Sequence, residues 1–345
     1  MRSKVLLDLR KLSDPYSGLG QFSLALAKAL MESSHSGHLL FLLPEGADSS
    51  WCSEKAVFER QLRSLAPTIS LVHRLHQESD LYVPGALHLL TVHDINFIYK
   101  YRYIKLWYKK KRFLRYLRKH DRLVCISRFT AQELSLHFQI PPDSMKVVYN
   151  GCNTLAEPGK PSLIPNHPFF FSIGAFLPKK NLHVLLPMMK YFPDTNWLLA
   201  GHDRVPYAQK LKRLLAEAGL QEQVIFTGTL SEAAKSWYYQ NCRALLFPSV
   251  SEGFGLPVLE AYSAGKPLAY FPFTALPEIA GPWGLCWSPE ESPEHWASQL
   301  KEFLSKDSSE WAMKRMDYAA GFSWNKAADD YLRTYDEMLG TLHRV

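Results

Sequence analysis

Short apolar runs alternate with helical patterns along almost the whole chain. KVLLDL, at residues 4–9, precedes the loop RKLSDPYSGLGQ and a helix pattern rich in alanine and leucine, and HLLFLLP, ALHLLTVHD and RLVCISR repeat the strand signal. A short run that is apolar throughout is typical of a parallel strand whose two faces are both covered by helices. The alternation therefore predicts an α/β fold with a doubly wound, Rossmann-like sheet.

The same alternation occurs a second time after an interruption. Residues 153–168 contain four prolines and a glycine, and a new series of strand and helix patterns runs from FFFSIGA to ALLFPS. A chain of 345 residues is long enough for two domains. We therefore predict Rossmann-like domains at 1–152 and 169–323, a linker at 153–168, a central cleft between the domains, and a C-terminal helix at 324–345 that packs toward the first domain.

Composition narrows the class of protein. No run approaches the 18 or so apolar residues of a membrane span, and the N-terminal segment lacks the apolar core of a signal peptide. The five cysteines are far apart and show no metal-ligand spacing. These features predict a cytoplasmic globular protein with buried thiols and without a metal site or a bound cofactor.

A strongly basic segment, 100–122, carries a net charge of +10 in a chain whose total is +7. Six aromatic residues lie among its charges, and as a helix it would place Ile104, Trp107, Tyr108, Leu114 and Leu117 on one face. Two interpretations compete on nearly equal terms, a solvated helix face and a contact with anionic lipid headgroups on a membrane surface. Nucleic-acid binding is disfavoured because no recognition module accompanies the segment.

The stretch EGFGLPVLEAYSAGKP, at residues 252–267, follows a predicted buried strand. Gly253, Gly255 and Pro257 predict a loop that enters a helix, and Gly265 with Pro267 ends that helix about two turns later. A helix N-terminus flanked by glycines favours phosphate, which predicts a diphosphate site. Glu260 is expected in the first turn of the helix, where its carboxylate can accept hydrogen bonds from a ribose.

Glu252 and Glu260 within this stretch closely resemble the signature of glycosyltransferase family 4, whose members have the GT-B fold. The resemblance covers nearly the whole chain and includes GLGQFSLALAKAL, TVHD, CISRFTAQEL, VVYNG, SIGAFLPKKN and VIFTGTL. It implies a retaining, metal-independent hexosyltransferase that uses a nucleotide-diphosphate sugar. The acceptor hydroxyl would attack from the side that the nucleotide leaves, and a donor phosphate oxygen would take its proton.

Residue by residue, the resemblance implies that Glu260 binds the donor ribose and that Glu252 contacts the sugar near its reacting end. Backbone groups of Gly253, Phe254, Gly255 and Leu256 would surround the sugar and diphosphate, and Lys180, after Gly174, matches the lysine that binds the diphosphate. Many members carry an arginine directly after that glycine, where this chain has Ala175. Lys179 or Arg204 could replace the lost contact, and a mannosyltransferase-like subgroup also lacks the arginine.

Two further positions lie in the first predicted domain. His93 follows an apolar run, and the resemblance implies that it forms a hydrogen bond to a hydroxyl of the transferred sugar. Gly18 and Gly20 precede the first helix pattern, but Ser23 replaces the third glycine of a dinucleotide fingerprint, which disfavours a dehydrogenase. In the transferase interpretation, the Gly20 loop approaches the donor phosphate or the acceptor.

The sequence identifies the substrates less clearly than it identifies the reaction class. The GAFLPKKN pattern makes GDP-mannose the first choice of donor, with mannose as the transferred sugar. Contacts with the nucleotide base would come from the Gly228–Leu230 turn, including Leu230. The acceptor would be a saccharide or lipid-linked saccharide in glycan or surface polysaccharide synthesis. Two alternatives remain: a nucleotide-sugar-binding partner with little activity of its own, which Ala175 motivates, and a GT-B-type nucleotide-sugar epimerase or hydrolase.

Overall fold

The computed structural model describes residues 4–14, 17–33 and 36–342. They form two compact units. Unit 1 comprises residues 1–151 together with 322–345, and unit 2 comprises residues 152–321. The predicted linker at 153–168 contains no helix or strand and is part of unit 2.

Unit 1 is built on a seven-stranded sheet, in the described residues, with the strand order β3-β2-β1-β4-β5-β6-β7. All neighbouring strands are parallel. The strands are β1 (Lys4–Asp8), β2 (Leu39–Leu42), β3 (Ala56–Val57), β4 (Ile69–Arg74), β5 (Leu87–Val92), β6 (Arg122–Cys125) and β7 (Met145–Val147). This is the predicted doubly wound arrangement, and the order of the strands reverses between β1 and β4.

Helices cover both faces of this sheet because its strands are apolar on both sides. They are α1 (Gly18–Glu32), α2 (Leu62–Leu65), α3 (Phe97–Lys100), α4 (Tyr103–Leu117), α5 (Arg128–Phe138) and α12 (Trp324–Leu342). The C-terminal helix α12 packs on α1 and on the sheet, where the Tyr335 hydroxyl is 2.7 Å from His73 Nδ1. Residues 343–345 of the predicted helix lie outside the described residues.

Unit 2 is built on a six-stranded parallel sheet, in the part of the chain that the structure describes, with the order β10-β9-β8-β11-β12-β13. The strands are β8 (Phe169–Ile173), β9 (Asn196–Ala200), β10 (Val224–Gly228), β11 (Ala244–Phe247), β12 (Leu268–Tyr270) and β13 (Leu285–Cys286). Its strand order reverses between β8 and β11. Ligands of doubly wound sheets bind at the carboxyl ends of the strands at such a reversal.

The helices of unit 2 complete the second Rossmann-like layer. They are α6 (Pro206–Ala218), α7 (Glu232–Asn241), α8 (Leu256–Ser263), α9 (Leu276–Ala280), α10 (Pro293–Ser305) and α11 (Ser309–Ala320). The helix that the sequence predicts from Asn181 has 3₁₀ geometry at Leu182–Tyr191. Pro187 lies inside it and lacks the N–H group that an α-helical ladder needs.

Two local predictions in unit 1 are wrong. Gly18 and Gly20 do not form a loop before the first helix, because α1 begins at Gly18 and the Ser17 hydroxyl caps it by accepting a 3.1 Å hydrogen bond from Gly20 N. The five apolar residues of 100–122 do not share one face. Leu114 and Leu117 pack on the core of unit 1, whereas Ile104, Trp107 and Tyr108 are exposed.

No helix in residues 4–14, 17–33 and 36–342 combines the length and the apolar character that crossing a bilayer requires.

Candidate functional site

Several residues that the sequence predicted for the donor site lie where the strand order of unit 2 reverses. Gly174 and Ala175 follow β8, and Pro248 and Ser249 follow β11, so these two chain segments end side by side. They line a small pocket together with Lys180. This position at the carboxyl ends of the two strands is the one at which Rossmann-like sheets hold nucleotides.

Lys180 and Glu252 form an ion pair beside this pocket. Lys180 Nζ donates a 2.7 Å hydrogen bond to Glu252 Oε1, and the ammonium also lies 4.7 Å from the centre of the Phe247 ring. The two side chains are 13% and 12% exposed, so the pair is largely shielded from water but still reachable. The sequence predicted both residues for the donor site without predicting that they contact one another.

The surroundings of Glu252 favour its charged form. Burial raises the pKa of its carboxyl, but the neighbouring ammonium groups of Lys180 and Lys179, together with the hydrogen bond from Lys180, outweigh burial and lower the pKa below its usual value. Lys179 Nζ is 4.0 Å from Glu252 Oε2. A second cation therefore lies near the Glu252 carboxylate.

Because Gly174 has no Cβ atom, the Lys180 side chain can lie close to the backbone. Gly174 has φ +140°, and a Cβ atom there would be 3.1 Å from Lys180 Cε. A larger residue would push the lysine away from its present place. Ser249 is fully buried, and its hydroxyl has no hydrogen-bond partner within bonding distance and geometry in the described structure.

Helix α8 begins at Leu256, after Gly255 with φ +112°. Gly253 and Phe254 form the bend before it, so the predicted loop and helix entry are present. The prediction that Glu260 lies in the first turn is wrong. Because the helix already starts at Leu256, Glu260 is its fifth residue, and the first turn contains no acidic residue.

Glu260 belongs to a buried polar cluster that sequence reasoning missed. Its Oε1 atom accepts a 3.1 Å hydrogen bond from Lys235 Nζ, and its Oε2 atom accepts a 2.8 Å hydrogen bond from the Tyr239 hydroxyl. Lys235 also pairs with Glu232 at 2.7 Å. Burial lowers the pKa of Lys235, but Glu260 and Glu232 outweigh burial and raise it, so the lysine stays charged. The sequence feature that could have indicated this cluster is Lys235, a lysine among the buried positions of α7.

Leu230 lies at the edge of a second pocket in unit 2. The pocket is formed by the turn after β10, the start of α7 and the segment 159–163, with Thr229, Ser231 and Tyr238 among its lining residues. The Tyr238 hydroxyl donates a 2.6 Å hydrogen bond to Leu163 O, which holds that segment against α7. The turn predicted to contact a base therefore borders a concave surface.

His93 in unit 1 is buried directly after β5. Its Nε2 atom is 2.7 Å from Leu75 O, and its ring packs edge-on against Phe22. A carbonyl oxygen only accepts, so Nε2 carries the proton and Nδ1 is left as an acceptor. Burial lowers the pKa of His93 to about 4, which keeps the ring neutral at pH 7. The neighbouring Asp94 accepts a 3.0 Å hydrogen bond from Asn96 N through its carboxylate.

Metal ligands do not cluster in the described residues: no group of three or more His, Cys, Asp or Glu side chains there could hold an ion.

Both units match models of known protein families. Residues 16–154 match the model for Glycosyltransferase Family 4, and residues 156–320 match the model for Glycosyl transferases group 1. Together the two models span nearly the whole chain. The matched ranges divide at residue 155, four residues after the first part of unit 1 ends.

Several curated relatives are bacterial sugar transferases. O-antigen chain mannosyltransferase B of Escherichia coli is 25% identical, with 96% of this chain and 99% of that protein covered. O-antigen chain mannosyltransferase RfbU of Salmonella typhimurium is 24% identical over 61% of this chain, and the match spans only 59% of that protein's length. The D-inositol 3-phosphate glycosyltransferase of Mycolicibacterium vanbaalenii is 29% identical, with 65% of this chain and 54% of that protein covered.

Solved structures show the same fold over almost the full length. Anabaena Alr3699/HepE in complex with UDP and glucose has a TM-score of 0.75 at 15% identity and covers 97% of this chain and 100% of its own. WaaG, a glycosyltransferase involved in lipopolysaccharide biosynthesis, has a TM-score of 0.68 at 15% identity and covers 94% and 98%. The predicted GT-B fold is thereby confirmed, and the chain belongs to glycosyltransferase family 4.

Proposed function

We propose that this protein transfers a hexose, with mannose from GDP-mannose as the first choice, from a nucleotide-diphosphate sugar to a saccharide or lipid-linked saccharide acceptor. The transfer would retain the anomeric configuration and would proceed without a metal ion. The observation that carries the proposal is the Lys180–Glu252 pair beside the pocket between β8 and β11. A phosphate oxygen could replace the Glu252 oxygen on Lys180, because both are negatively charged hydrogen-bond acceptors.

The leaving diphosphate would be stabilised by Lys180 and by the N-terminus of α8. The first N–H groups of a helix have no intrahelical partners and favour negative charge. Lys179 can contribute a second positive charge, which offsets the missing arginine at Ala175. Catalysis would then depend on positioning and electrostatic stabilisation rather than on a protein base.

His93 would receive a hydrogen bond from a hydroxyl of the transferred sugar. Because Nε2 is engaged by Leu75 O, the ring offers Nδ1 as an acceptor. Since the ring is neutral at pH 7, it would not act as a general acid. This refines the predicted role, which left open whether the histidine donates or accepts.

The proposed identity of the donor is based on the names of two relatives and on the second pocket. Two relatives with similar sequences carry the name O-antigen mannosyltransferase, whereas the HepE structure contains UDP and glucose. The pocket beside Leu230 offers hydroxyl groups of Thr229 and Ser231 for a base edge. GDP-mannose therefore stays the first choice and UDP-glucose is the competitor.

A donor and acceptor screen tests the proposal. Purified protein would be incubated with GDP-mannose, UDP-glucose and other nucleotide sugars, with and without lipid-linked saccharides, and the products resolved by mass spectrometry and NMR. Transfer with retained configuration in the presence of EDTA supports the proposal. Tight donor binding without turnover would instead support the binding partner that Ala175 motivates, and a product formed without acceptor would support an epimerase or hydrolase.

The exposed side of α4 favours a membrane-bound acceptor. Tyr103 and Ile104 are 85% and 83% exposed, and Trp107 and Tyr108 are more than half exposed. Lysines and arginines surround them, and in the described part of the chain Lys105 forms no salt bridge with an acidic residue. A helix that combines exposed aromatic residues with excess positive charge is suited to the headgroup region of an anionic bilayer.

Vesicle sedimentation separates this membrane contact from a solvated helix face. We expect the protein to bind vesicles of phosphatidylcholine and phosphatidylglycerol, and the double variant Ile104→Ser/Trp107→Ser to bind at least tenfold more weakly. Leu136→Ser is a matched control, because Leu136 is an exposed apolar residue of unit 1 outside α4. Equal binding to neutral and anionic vesicles, or no effect of the double substitution, would contradict a role for α4.

A further inference from the structure

Thr274 has an unusual backbone conformation next to the candidate site. Its φ angle is +56°, a region that β-branched residues avoid because of steric strain. It is the first central residue of a turn in which Leu276 N donates to Phe273 O, and the second central residue, Ala275, has φ −76° and ψ −7°. Positive φ at the first central position of a turn normally selects glycine.

The Thr274 hydroxyl connects this turn to the candidate site. Oγ1 accepts a 2.9 Å hydrogen bond from Glu252 N and donates a 2.8 Å hydrogen bond to Phe273 O. Glycine would relieve the strain but could not form either bond. The side chain therefore has a specific partner, the backbone of the residue whose carboxylate pairs with Lys180.

Two of the other described non-glycine residues with positive φ have an ordinary explanation. Gln139 ends α5 as its left-handed cap, a common place for this conformation, and Asn181 is a residue type that tolerates it. Thr274 combines β-branching, positive φ and a hydrogen bond to a candidate site residue. Strained backbone that persists beside a functional group points to a role in holding that group.

We propose that Thr274 is a positioning residue. By holding Glu252 N it fixes the loop after β11, so that the Glu252 carboxylate stays 2.7 Å from Lys180 Nζ and directs that ammonium toward the pocket. Thr274 itself would not contact the reacting atoms. This inference rests on the proposed function, because it assigns the residue a role in orienting Lys180 and Glu252 for the donor.

Three substitutions separate positioning from a purely structural role. We expect Thr274→Gly to lower kcat/KM for the donor at least tenfold while the melting temperature stays within about 2 °C, because strain relief offsets the lost hydrogen bond. Thr274→Ser keeps the hydroxyl and should restore activity to within about threefold of the parent. Gln139→Gly, which relieves a positive φ far along the chain in unit 1, should change neither kcat nor KM.

A double-mutant cycle tests whether the effect passes through Glu252. In a Glu252→Gln background, Thr274→Gly should lower kcat/KM less than threefold, since the carboxylate that it positions is already absent. Full activity of Thr274→Gly, or an undiminished tenfold loss in the Glu252→Gln background, would overturn the inference. If the unmodified chain neither binds nor turns over any nucleotide sugar, the proposed function itself fails and this inference fails with it.

Discussion

Unit 2 contains two shielded lysine–glutamate pairs whose surroundings differ. Lys180 and Glu252 lie at the carboxyl ends of β8 and β11, with side chains 13% and 12% exposed. Lys235 and Glu260 lie on α7 and α8, with side chains 9% and 6% exposed. The first pair borders a pocket with an unpaired serine hydroxyl, that of Ser249.

The second pair is enclosed by further protein groups. The Tyr239 hydroxyl donates to Glu260 Oε2, and Glu232 gives Lys235 a second carboxylate at 2.7 Å. Both oxygens of Glu260 are thus engaged. A carboxylate has about four lone-pair sites, so two remain for ribose hydroxyls if Glu260 has the role that the family resemblance implies.

Of the two pairs, the first is suited to exchange its partner. At the first pair, an incoming phosphate oxygen can replace Glu252 on Lys180 without leaving a buried group unsatisfied, because Lys179 remains near the carboxylate. At the second pair, removal of Lys235 leaves the buried Glu260 carboxylate without its cation, with the Tyr239 hydroxyl as its remaining hydrogen-bond donor. We therefore expect the first pair to affect donor use and the second to affect stability as well.

The largest effect is expected from Lys235→Ala. It leaves the Glu260 carboxylate buried with only Tyr239 as a partner, and breaking a buried pair typically costs about 3–5 kcal/mol of the free energy of unfolding. Urea denaturation would measure the loss. Lys212→Ala is a matched control, because its pair with Asp203 is solvent-exposed and should contribute less than about 1 kcal/mol. Similar losses for the two variants would show that the Lys235–Glu260 pair contributes no more to stability than a surface pair does.

Lys180→Ala should have the next largest effect, on donor use. Loss of a charged hydrogen bond worth roughly 1.5–3 kcal/mol would lower kcat/KM for the donor at least tenfold. Its effect on the free energy of unfolding should be smaller than that of Lys235→Ala. Lys306→Ala serves as the control, with less than a threefold change expected because its pair with Glu302 is solvent-exposed and lies outside the pocket. Normal donor kinetics in Lys180→Ala would refute the assignment of the pair to the diphosphate.

The sequence predicted where these residues lie on their elements better than it predicted their partners. Apolar runs fixed β8 and β11, and therefore the positions of Lys180 and Glu252 after strands that turned out to be neighbours. Lys235 and Thr274 were missed because their contacts join residues 25 and 22 positions apart, and a single sequence does not reveal such pairings. Ile104 and Trp107 were misplaced because a periodic pattern cannot show which side of a helix meets the core.

The smallest effect concerns acid stability and tests the charged state of Glu252 in the first pair. The folded-state pKa of Glu252 is lowered, since Lys180 and Lys179 outweigh the burial that raises it. Its contribution to stability is therefore complete above the unfolded pKa of about 4.3 and is lost as pH falls through the lower folded value. In Lys180→Met only Lys179 would oppose burial, so the pKa of Glu252 would rise from its present value and stability should fall less steeply between pH 5 and pH 3 than in the parent. Urea unfolding across this range, with Lys212→Met as the control, measures the difference, and parallel pH profiles would show that Lys180 does not hold Glu252 in its charged form.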